Sequence, residues 1–255
     1  MKKWSHHTSG AMWQRQLTIP GFGPETQQIL GSAHVLLLGA GGVGCPAALY
    51  LAAAGVGNMT LVDGDVVEPG NLNRQILYGR ADVGRPKVEA AAEALKRLNP
   101  DINIEALPIH ATAPEIERLV ASGGVVVDCF DRNKDRLAVN SACLGHGKAA
   151  VHSYVQNFSG YVIFSPGNGG CLGCLVDESF PEQQDNSVIG VAAGQAGIIA
   201  AAEMIRHLTG IGGPGESRLI FFDLAFMQWA TRRVMRDPRC PACGKGDTDE
   251  QGPLY

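Results

Sequence analysis

The chain has 255 residues, 45% of them hydrophobic, and a formal net charge of −4 at pH 7. That length suits one large α/β domain or two small ones, and the apolar content is sufficient for a packed core. The acidic balance excludes the basic surface that nucleic-acid binding requires, so we expect no nucleic-acid partner.

Two segments indicate whether the protein spans a membrane or is secreted. The longest apolar stretch, residues 189–202, contains Gln195 and is closed by Glu203 and Arg206, so it predicts a buried helix rather than a membrane span. Residues 1–11 lack the apolar run of a secretory signal peptide. We therefore expect a cytoplasmic protein without a membrane partner.

Strand-like and helix-like segments alternate along the chain. Strands are predicted at residues 34–38, 58–63, 102–107, 125–128 and 149–155, and helices at residues 47–54, 88–98, 114–120 and 136–145. This alternation predicts an α/β fold with a Rossmann-like, doubly wound, mostly parallel sheet. Residues 160–164, 219–222 and 227–235 alternate like antiparallel strands and would continue that sheet. Residues 177–186, which hold four acidic side chains, predict a mobile surface loop.

A glycine-rich turn joins the first predicted strand to the first predicted helix. The turn has a G-x-G-x-x-G pattern, with glycine at Gly39, Gly41, Gly42 and Gly44. Glycines let the backbone approach a phosphate, and the N–H groups at the helix N-terminus can bind an anion. Asp63 ends the next strand, where its carboxylate can accept hydrogen bonds from ribose hydroxyls. Taken alone, the pattern indicates either NAD binding or a turn that only packs a strand against a helix.

Polar side chains after the later strands shift the prediction from NAD to a nucleoside triphosphate. Arg74 lies in a polar loop, and Lys87 opens the next helix just after Pro86. A triphosphate needs this extra positive charge, because negative charge develops as pyrophosphate leaves. Asp131, just beyond the strand that ends at Asp128, can hold Mg²⁺. The alternative is that Arg74 and Lys87 are solvated surface charges and that Asp131 caps the following helix.

Two Cys-x-x-Cys pairs, Cys171 with Cys174 and Cys240 with Cys243, predict a structural zinc site. Each two-residue spacer lets one tight turn present two sulfurs, and four thiolates suit tetrahedral Zn²⁺. A redox role would need only one such pair, and disulfides would need an oxidising compartment.

Together these motifs resemble the ThiF/MoeB/HesA family, bacterial relatives of the ubiquitin-activating enzymes. The resemblance runs from about Trp13 to Gly244, nearly the whole chain. The matching segments are the glycine turn, Asp63-Gly64-Asp65, Asn71-Leu72-Asn73-Arg74-Gln75, Gly84-Arg85-Pro86-Lys87, Asp128-Cys129-Phe130-Asp131 and the two cysteine pairs. The resemblance implies an adenylyltransferase that uses ATP and Mg²⁺ to activate the C-terminal glycine of a small ubiquitin-like sulfur-carrier protein ending in Gly-Gly. It also implies a homodimer in which an N-terminal arginine, here Arg15, reaches the partner's ATP site.

The resemblance also implies the roles of individual residues. The implied catalytic set is Arg15, Arg74, Lys87 and Asp131. The implied nucleotide contacts are Gly39, Gly41, Gly42, Gly44, Asp63, Asp65, Gly70, Asn71, Leu72, Asn73, Arg74, Gln75, Lys87, Asp131 and Arg132. Arg132 stands where the family commonly has asparagine. The carrier's carboxylate would attack the α-phosphorus, so the reaction requires no protein nucleophile.

One feature common in the family is missing from the sequence. Many members use a cysteine in the loop before the helix that starts here near Gly190, whereas residues 175–189 contain none. We therefore expect the acyl-adenylate to pass to an external sulfur donor, or the enzyme to adenylate a peptide or another carboxylate. Two other classes stay open at this point, an NAD-dependent oxidoreductase and a non-catalytic module that binds a carrier protein.

We expect a single adenylation domain over residues 1–255. Its parts would be an N-terminal helical arm at residues 1–30, a nucleotide-binding half at residues 31–155, and a zinc-knuckle and carrier-docking half at residues 156–255.

Overall fold

The structure is a computed structural model that describes residues 12–176, 187–213 and 215–244. Residues 1–11 and the predicted loop at 177–186 lie outside the described residues.

Strands and helices alternate through the first half of the described chain, as predicted. The strands are β1 His34–Leu38, β2 Asn58–Val62, β3 Asn103–Leu107, β4 Val125–Asp128, β5 Ala150–Gln156, β6 Ser159–Ser165, β7 Arg218–Asp223 and β8 Gln228–Arg233. The α-helices are α1 Pro24–Ser32, α2 Gly44–Ala54, α3 Lys87–Leu98, α4 Ala113–Ser122, α5 Asn133–Gly145 and α6 Gly190–Thr209. Helices α2 and α5 each begin three residues before their predicted starts.

All eight strands form one sheet in the order β3-β2-β1-β4-β5-β6-β7-β8. In that order, neighbouring strands are parallel from β3 through β2, β1 and β4 to β5, and antiparallel from β5 to β8. The predicted fold class, a mostly parallel sheet continued by antiparallel strands, is therefore confirmed. Strands β2 and β4 lie on opposite sides of β1, so the order of the strands reverses at β1. Sheets of this class form clefts at the carboxyl ends of the strands at such a point.

Helices cover both faces of the parallel part of the sheet. Leu37 belongs to a core cluster that includes residues of α2, α3 and α6, whereas its neighbour Leu36 belongs to a second cluster that includes residues of α4 and α5. Successive side chains of a strand point to opposite faces, so a strand covered on both sides must be apolar throughout. This explains why β1 has an uninterrupted run of apolar residues after His34. One core cluster extends from Phe22 to Phe222 and includes residues of both halves of the chain.

Helix α6 is longer than its apolar stretch suggests. The predicted buried helix is present, and it continues beyond Glu203 and Arg206 to Thr209, where Gly210 follows in a left-handed conformation. Glu203 is buried, and its carboxylate lies 3.1 Å from Arg206 and 3.6 Å from Arg218. These ion pairs offset the cost of burying the charge inside the helix. Within the described residues, no helix has the combination of length and hydropathy needed to cross a bilayer.

The turn between β1 and α2 brings two backbone segments unusually close together. Gly39 has a φ of +93°, which favours glycine, and a Cβ placed there would lie 2.9 Å from the carbonyl oxygen of Cys129. A Cβ on Gly44 would overlap the carbonyl oxygen of Gly39. The turn can therefore start a helix directly above the end of β1 only with glycine at both positions.

Gly44→Ala should lower the free energy of unfolding by about 1–3 kcal/mol, the usual cost of inserting a methyl group into a packed site. Gly194→Ala is the matched control, because Gly194 lies inside α6 and a Cβ there meets nothing within 4 Å. That control should be neutral or stabilising by up to about 1 kcal/mol. Urea unfolding of both variants measures the difference, and equal stabilities would contradict the packing role of Gly44.

Candidate active site

The main cleft of the described residues lies at the carboxyl ends of β1, β2 and β4. Leu38 pairs with Val62 on one side and with Asp128 on the other, so the residues that follow these three strands meet at one edge. The cleft has a volume of about 540 Å³. Eleven of the predicted site residues line it, namely Gly39, Gly41, Gly42, Asp63, Asp65, Asn71, Arg74, Gln75, Lys87, Asp131 and Arg132.

The other predicted residues stand behind the cleft wall or away from it. Gly44 packs against Gly39, as described above. The carbonyl oxygen of Gly70 and the side-chain oxygen of Asn73 accept hydrogen bonds from Nη1 of Arg74, at 3.1 and 3.0 Å. Leu72 packs against the edge of the core. Gly70 and Asn73 therefore hold an arginine that lines the cleft instead of lining it themselves.

Arg15 is not brought to the cleft of its own chain. It is exposed, and the neighbouring Trp13 donates a hydrogen bond of 2.9 Å to the carbonyl oxygen of Ala53 and lies against Gly55. These contacts anchor the segment at the carboxyl end of α2, whereas the glycine turn lies at the amino end. A helix of 11 residues separates the two ends by roughly 16 Å.

Lys87, the first residue of α3, pairs with the two aspartates that follow β2. Its side chain is only 7% exposed, and Nζ lies 2.7 Å from Oδ2 of Asp65 and 3.9 Å from Oδ1 of Asp63. Asp63 also accepts hydrogen bonds from the backbone N–H groups of Ala40, at 2.8 Å, and Asp65, at 2.9 Å. The alternative that Lys87 is a solvated surface charge was therefore wrong.

Arg74 lies across the glycine turn without a carboxylate partner among the described residues. Its Cγ and Cδ lie 3.2 and 3.3 Å from the position of a Cβ on Gly42, so the absence of a side chain there lets Arg74 approach the turn. Beside it, Gln75 is buried, and its side-chain oxygen has no hydrogen-bond partner in the described structure. The guanidinium and this amide present polar groups to the cleft.

The opposite wall is formed by the start of α5. Asp131 is exposed, and Arg132, not Asp131, occupies the N-cap position, without a capping side-chain hydrogen bond. The alternative that Asp131 caps the helix was therefore wrong. Nε of Arg132 donates to Asp135 at 2.6 Å. The Asp131 carboxylate accepts no hydrogen bond from any described residue, so its oxygens are available to a cation.

His110, Arg136 and Ser153 are among the cleft residues that were not predicted from the sequence. The ring of His110 covers Gly64 where a Cβ would otherwise stand. Arg136 and Ser153 also line the cleft. Only Arg136 carried a usable signal, because it lies four residues after Arg132 and residues at that spacing share one face of a helix. His110 lies three residues after β3 and Ser153 lies on β5, so both reach the cleft through the pairing of distant strands.

The four cysteines of the two pairs meet at one point. Their sulfurs all lie within 4.8 Å of one another, with Cys171 3.9 Å from Cys174 and 3.7 Å from Cys240, and Cys174 3.3 Å from Cys243. A disulfide needs about 2.05 Å, so the disulfide alternative was wrong. Tetrahedral Zn²⁺ with bonds of about 2.3 Å separates its sulfurs by about 3.8 Å. The cluster therefore has the dimensions of a zinc site.

Hydrogen-bond donors surround these sulfurs, as a set of thiolates requires. The backbone N–H groups of Asp237 and Cys243 lie 3.4 and 3.5 Å from the sulfurs of Cys174 and Cys240, respectively. The side-chain amide of Asn140 lies 3.6 Å from the sulfur of Cys171. The residues present therefore fit a Zn²⁺ ion in chemistry as well as in dimensions.

The other cysteines are not activated thiols. Burial raises the pKa of Cys45 and the pKa of Cys143 to about 12. Burial, and then the nearby Asp128 carboxylate, raises the pKa of Cys129 well above its usual range. The thiolate is the reactive form, so each of these groups is unreactive near neutral pH.

Known proteins share both the sequence and the fold of this chain. The model of the ThiF family matches residues 13–242. The sulfur carrier protein ThiS adenylyltransferase of Escherichia coli is 38% identical over 93% of this chain and 96% of its own length. The SAMP-activating enzyme E1 of Haloferax volcanii is 37% identical over 93% of this chain and 90% of its own.

The solved structure of Escherichia coli MccB with ATP superposes with a TM-score of 0.82 at 22% identity, covering 94% of this chain and 75% of MccB. This likeness concerns the fold alone. The relatives named as adenylyltransferases confirm the predicted enzyme class, and they oppose the oxidoreductase alternative. On the family match and these identities, the chain belongs to the ThiF family.

Proposed function

We propose that this adenylyltransferase uses ATP to activate the C-terminal glycine carboxylate of a ubiquitin-like sulfur-carrier protein. The observation that carries the proposal is the grouping of the glycine turn with Asp63, Arg74, Lys87 and Asp131 in one cleft. The names of the relatives support the substrate class, because one is named for the carrier ThiS and another for SAMP.

The cleft suggests how ATP would lie. The phosphates would contact the backbone of the glycine turn, within reach of Arg74. The ribose would lie at Asp63, whose oxygens accept hydrogen bonds from Ala40 and Asp65 yet keep further lone pairs for ribose hydroxyls. Lys87 is already paired with Asp65, so its charge is held in position before a ligand arrives.

The chain's part in the reaction is alignment and charge stabilisation. One carboxylate oxygen of the carrier forms a bond to the α-phosphorus of ATP, and the bond from that phosphorus to the leaving pyrophosphate breaks. Pyrophosphate takes the bonding electron pair, and no proton has to be transferred. Arg74 and Lys87 would stabilise the negative charge that develops on the phosphate oxygens.

Asp131 would hold Mg²⁺, which would offset charge on the phosphates when bound. Its exposed carboxylate in the cleft wall fits a hard cation that prefers oxygen ligands. Arg132, in the place of the family's common asparagine, is directed to Asp135 and would leave this role to Asp131 alone.

We also propose that the acyl-adenylate passes to an external sulfur donor. Residues 175–189 contain no cysteine, and the pKa values of the three cysteines outside the zinc cluster are all raised. An acyl-adenylate therefore finds no activated thiol on this chain.

Two organisational proposals follow from the family resemblance. The chain would be a single adenylation domain with its nucleotide-binding half at residues 31–155 and its zinc and carrier-docking half at residues 156–255, and the shared core cluster supports this. The protein would act as a homodimer in which Arg15 completes the partner's cleft. The anchoring of the Trp13 segment far from its own cleft supports the second point.

The four cysteines would hold one structural Zn²⁺ that joins the region after β6 to the region after β8. None of these four cysteines lines the cleft, so the ion would stabilise the fold and leave adenylation to the cleft.

Arg74→Ala, Lys87→Ala and Asp131→Ala should each lower carrier-dependent ATP–pyrophosphate exchange by a factor of roughly 100 or more, as for loss of a preorganised charge. The matched controls are Lys96→Ala and Arg97→Ala, exposed residues in the last turn of α3, which should leave exchange unchanged. Full exchange in Arg74→Ala and Lys87→Ala would refute their role. If only a peptide stimulated exchange, the substrate would be a peptide and not a carrier protein. If no substrate stimulated exchange, the protein would be a non-catalytic module that binds a carrier.

Mixing Arg15→Ala subunits with Asp131→Ala subunits should restore exchange that neither variant shows alone. In the mixed dimer one cleft keeps Asp131 and receives Arg15 from its partner, so one complete site forms. Native mass spectrometry should first verify that the subunits exchange. No recovery in such a mixture would show that Arg15 does not act across the dimer.

Elemental analysis should find about one zinc per chain in protein purified without chelator. Cys171→Ser should lose the metal and lower the melting temperature while ATP binding survives, because the cluster does not line the cleft. Cys143→Ala serves as the control, because Cys143 is a buried cysteine outside the cluster and its variant should keep its zinc. A wild-type protein without zinc would disprove the metal site.

A further inference from the structure

Arg136 is a buried cation in the cleft wall that has no counter-ion among the described residues. It is 7% exposed, its Nε donates to the carbonyl oxygen of Phe130 at 2.6 Å, and its guanidinium carbon lies 5.1 Å from the centre of the Tyr154 ring. Tyr154 in turn stacks on Tyr161, with ring centres 4.9 Å apart. The guanidinium is therefore fixed in one place, yet its two terminal nitrogens have no hydrogen-bond partner in the described structure.

Burial of an uncompensated charge is costly, so such a group normally has an anionic partner. Two other basic residues of the same cleft show the contrast, because Lys87 is paired with Asp65, and Arg132 with Asp135. The fork of terminal N–H groups on Arg136 matches the two oxygens of a carboxylate. Its missing partner is therefore an anion that enters the cleft from outside.

The position of Arg136 identifies which substrate supplies that anion. The glycine turn follows β1 and Asp63 follows β2, so the nucleoside of the proposed nucleotide would lie on the side of the cleft towards β2, with its phosphates between the glycine turn and Asp131. Arg136 lies on α5, after β4, and contacts Tyr154 on β5. Ser153, also on β5, is 2% exposed, lines the cleft and has a hydroxyl without a hydrogen-bond partner. Two unpartnered polar groups thus lie on the side of the cleft that the nucleoside leaves open.

We propose that Arg136 binds the C-terminal carboxylate of the second substrate, with the Ser153 hydroxyl as an additional donor to the end of the same chain. The inference rests on the proposed function and specifies where its acyl substrate binds. One carboxylate oxygen attacks the α-phosphorus, and the other stays hydrogen-bonded to Arg136 and becomes the carbonyl oxygen of the acyl-adenylate. The stack on Tyr154 holds the guanidinium in the same position before and after the reaction.

The test compares one carrier in two forms, with a free C-terminal carboxylate and with a C-terminal amide. The probe is the ubiquitin-like carrier that gives the highest pyrophosphate exchange with wild-type protein, and its Kd is measured by calorimetry in the presence of a non-hydrolysable ATP analogue. The wild-type protein should bind the carboxylate form more tightly by a factor of about 30 or more, as for a buried charge-assisted pair. Arg136→Ala should bring this ratio close to one, and Arg136→Lys and Ser153→Ala should lower it in part. Lys134→Ala, an exposed neighbour on α5, is the control that should keep the ratio.

Nucleotide affinity separates this role from a phosphate contact or a folding defect. Arg136→Ala and Arg136→Lys should bind the ATP analogue as the wild type does, whereas Arg74→Ala should bind it more weakly. A retained carboxylate preference in folded Arg136→Lys and Arg136→Ala, or a loss of analogue binding equal to that of Arg74→Ala, would overturn the inference alone. No exchange by the wild-type protein with any carrier would overturn the proposed function and this inference with it.

Discussion

The contact between Gly39 and Gly44 is the constraint on which the cleft depends. It lets α2 start immediately above the end of β1, with its first N–H groups directed towards the cleft. Since β2 and β4 flank β1 in register, Asp63 and the segment at Asp131 are delivered to the same edge. A side chain at either glycine would separate these backbone segments and move every group that follows the three strands.

Charge in the cleft is divided into paired and unpaired groups. Lys87 and Arg132 are already bound to carboxylates, so their charges are held in position before a ligand arrives. Arg74 and Arg136 lack carboxylate partners within the described residues, and both line the cleft. This arrangement suits a reaction between two anions, a triphosphate and a carboxylate, which would otherwise repel each other.

The sequence allowed the local features to be predicted, because they depend on short spacing. The glycine turn, the strands around it and the two cysteine pairs each arise within a few residues, and the structure contains all of them. Contacts between residues far apart in the sequence could not be predicted from such short patterns. Glu203 lies inside a helix because Arg218 on a distant strand compensates its charge, and Ser153 reaches the cleft only through the register of β5. Gly44 was predicted as a nucleotide contact, yet its immediate contact is the backbone of Gly39.

The reaction proposed for this cleft joins AMP to a carboxylate. Mass spectrometry of a Gly-Gly-terminated carrier, incubated with the protein, ATP and Mg²⁺ and quenched in acid, tests it directly. We expect an adduct with the mass of AMP on the C-terminal residue, formed with release of pyrophosphate and absent when the terminal glycine is removed. Hydrolysis of ATP to ADP and phosphate without any AMP adduct on the carrier would contradict it.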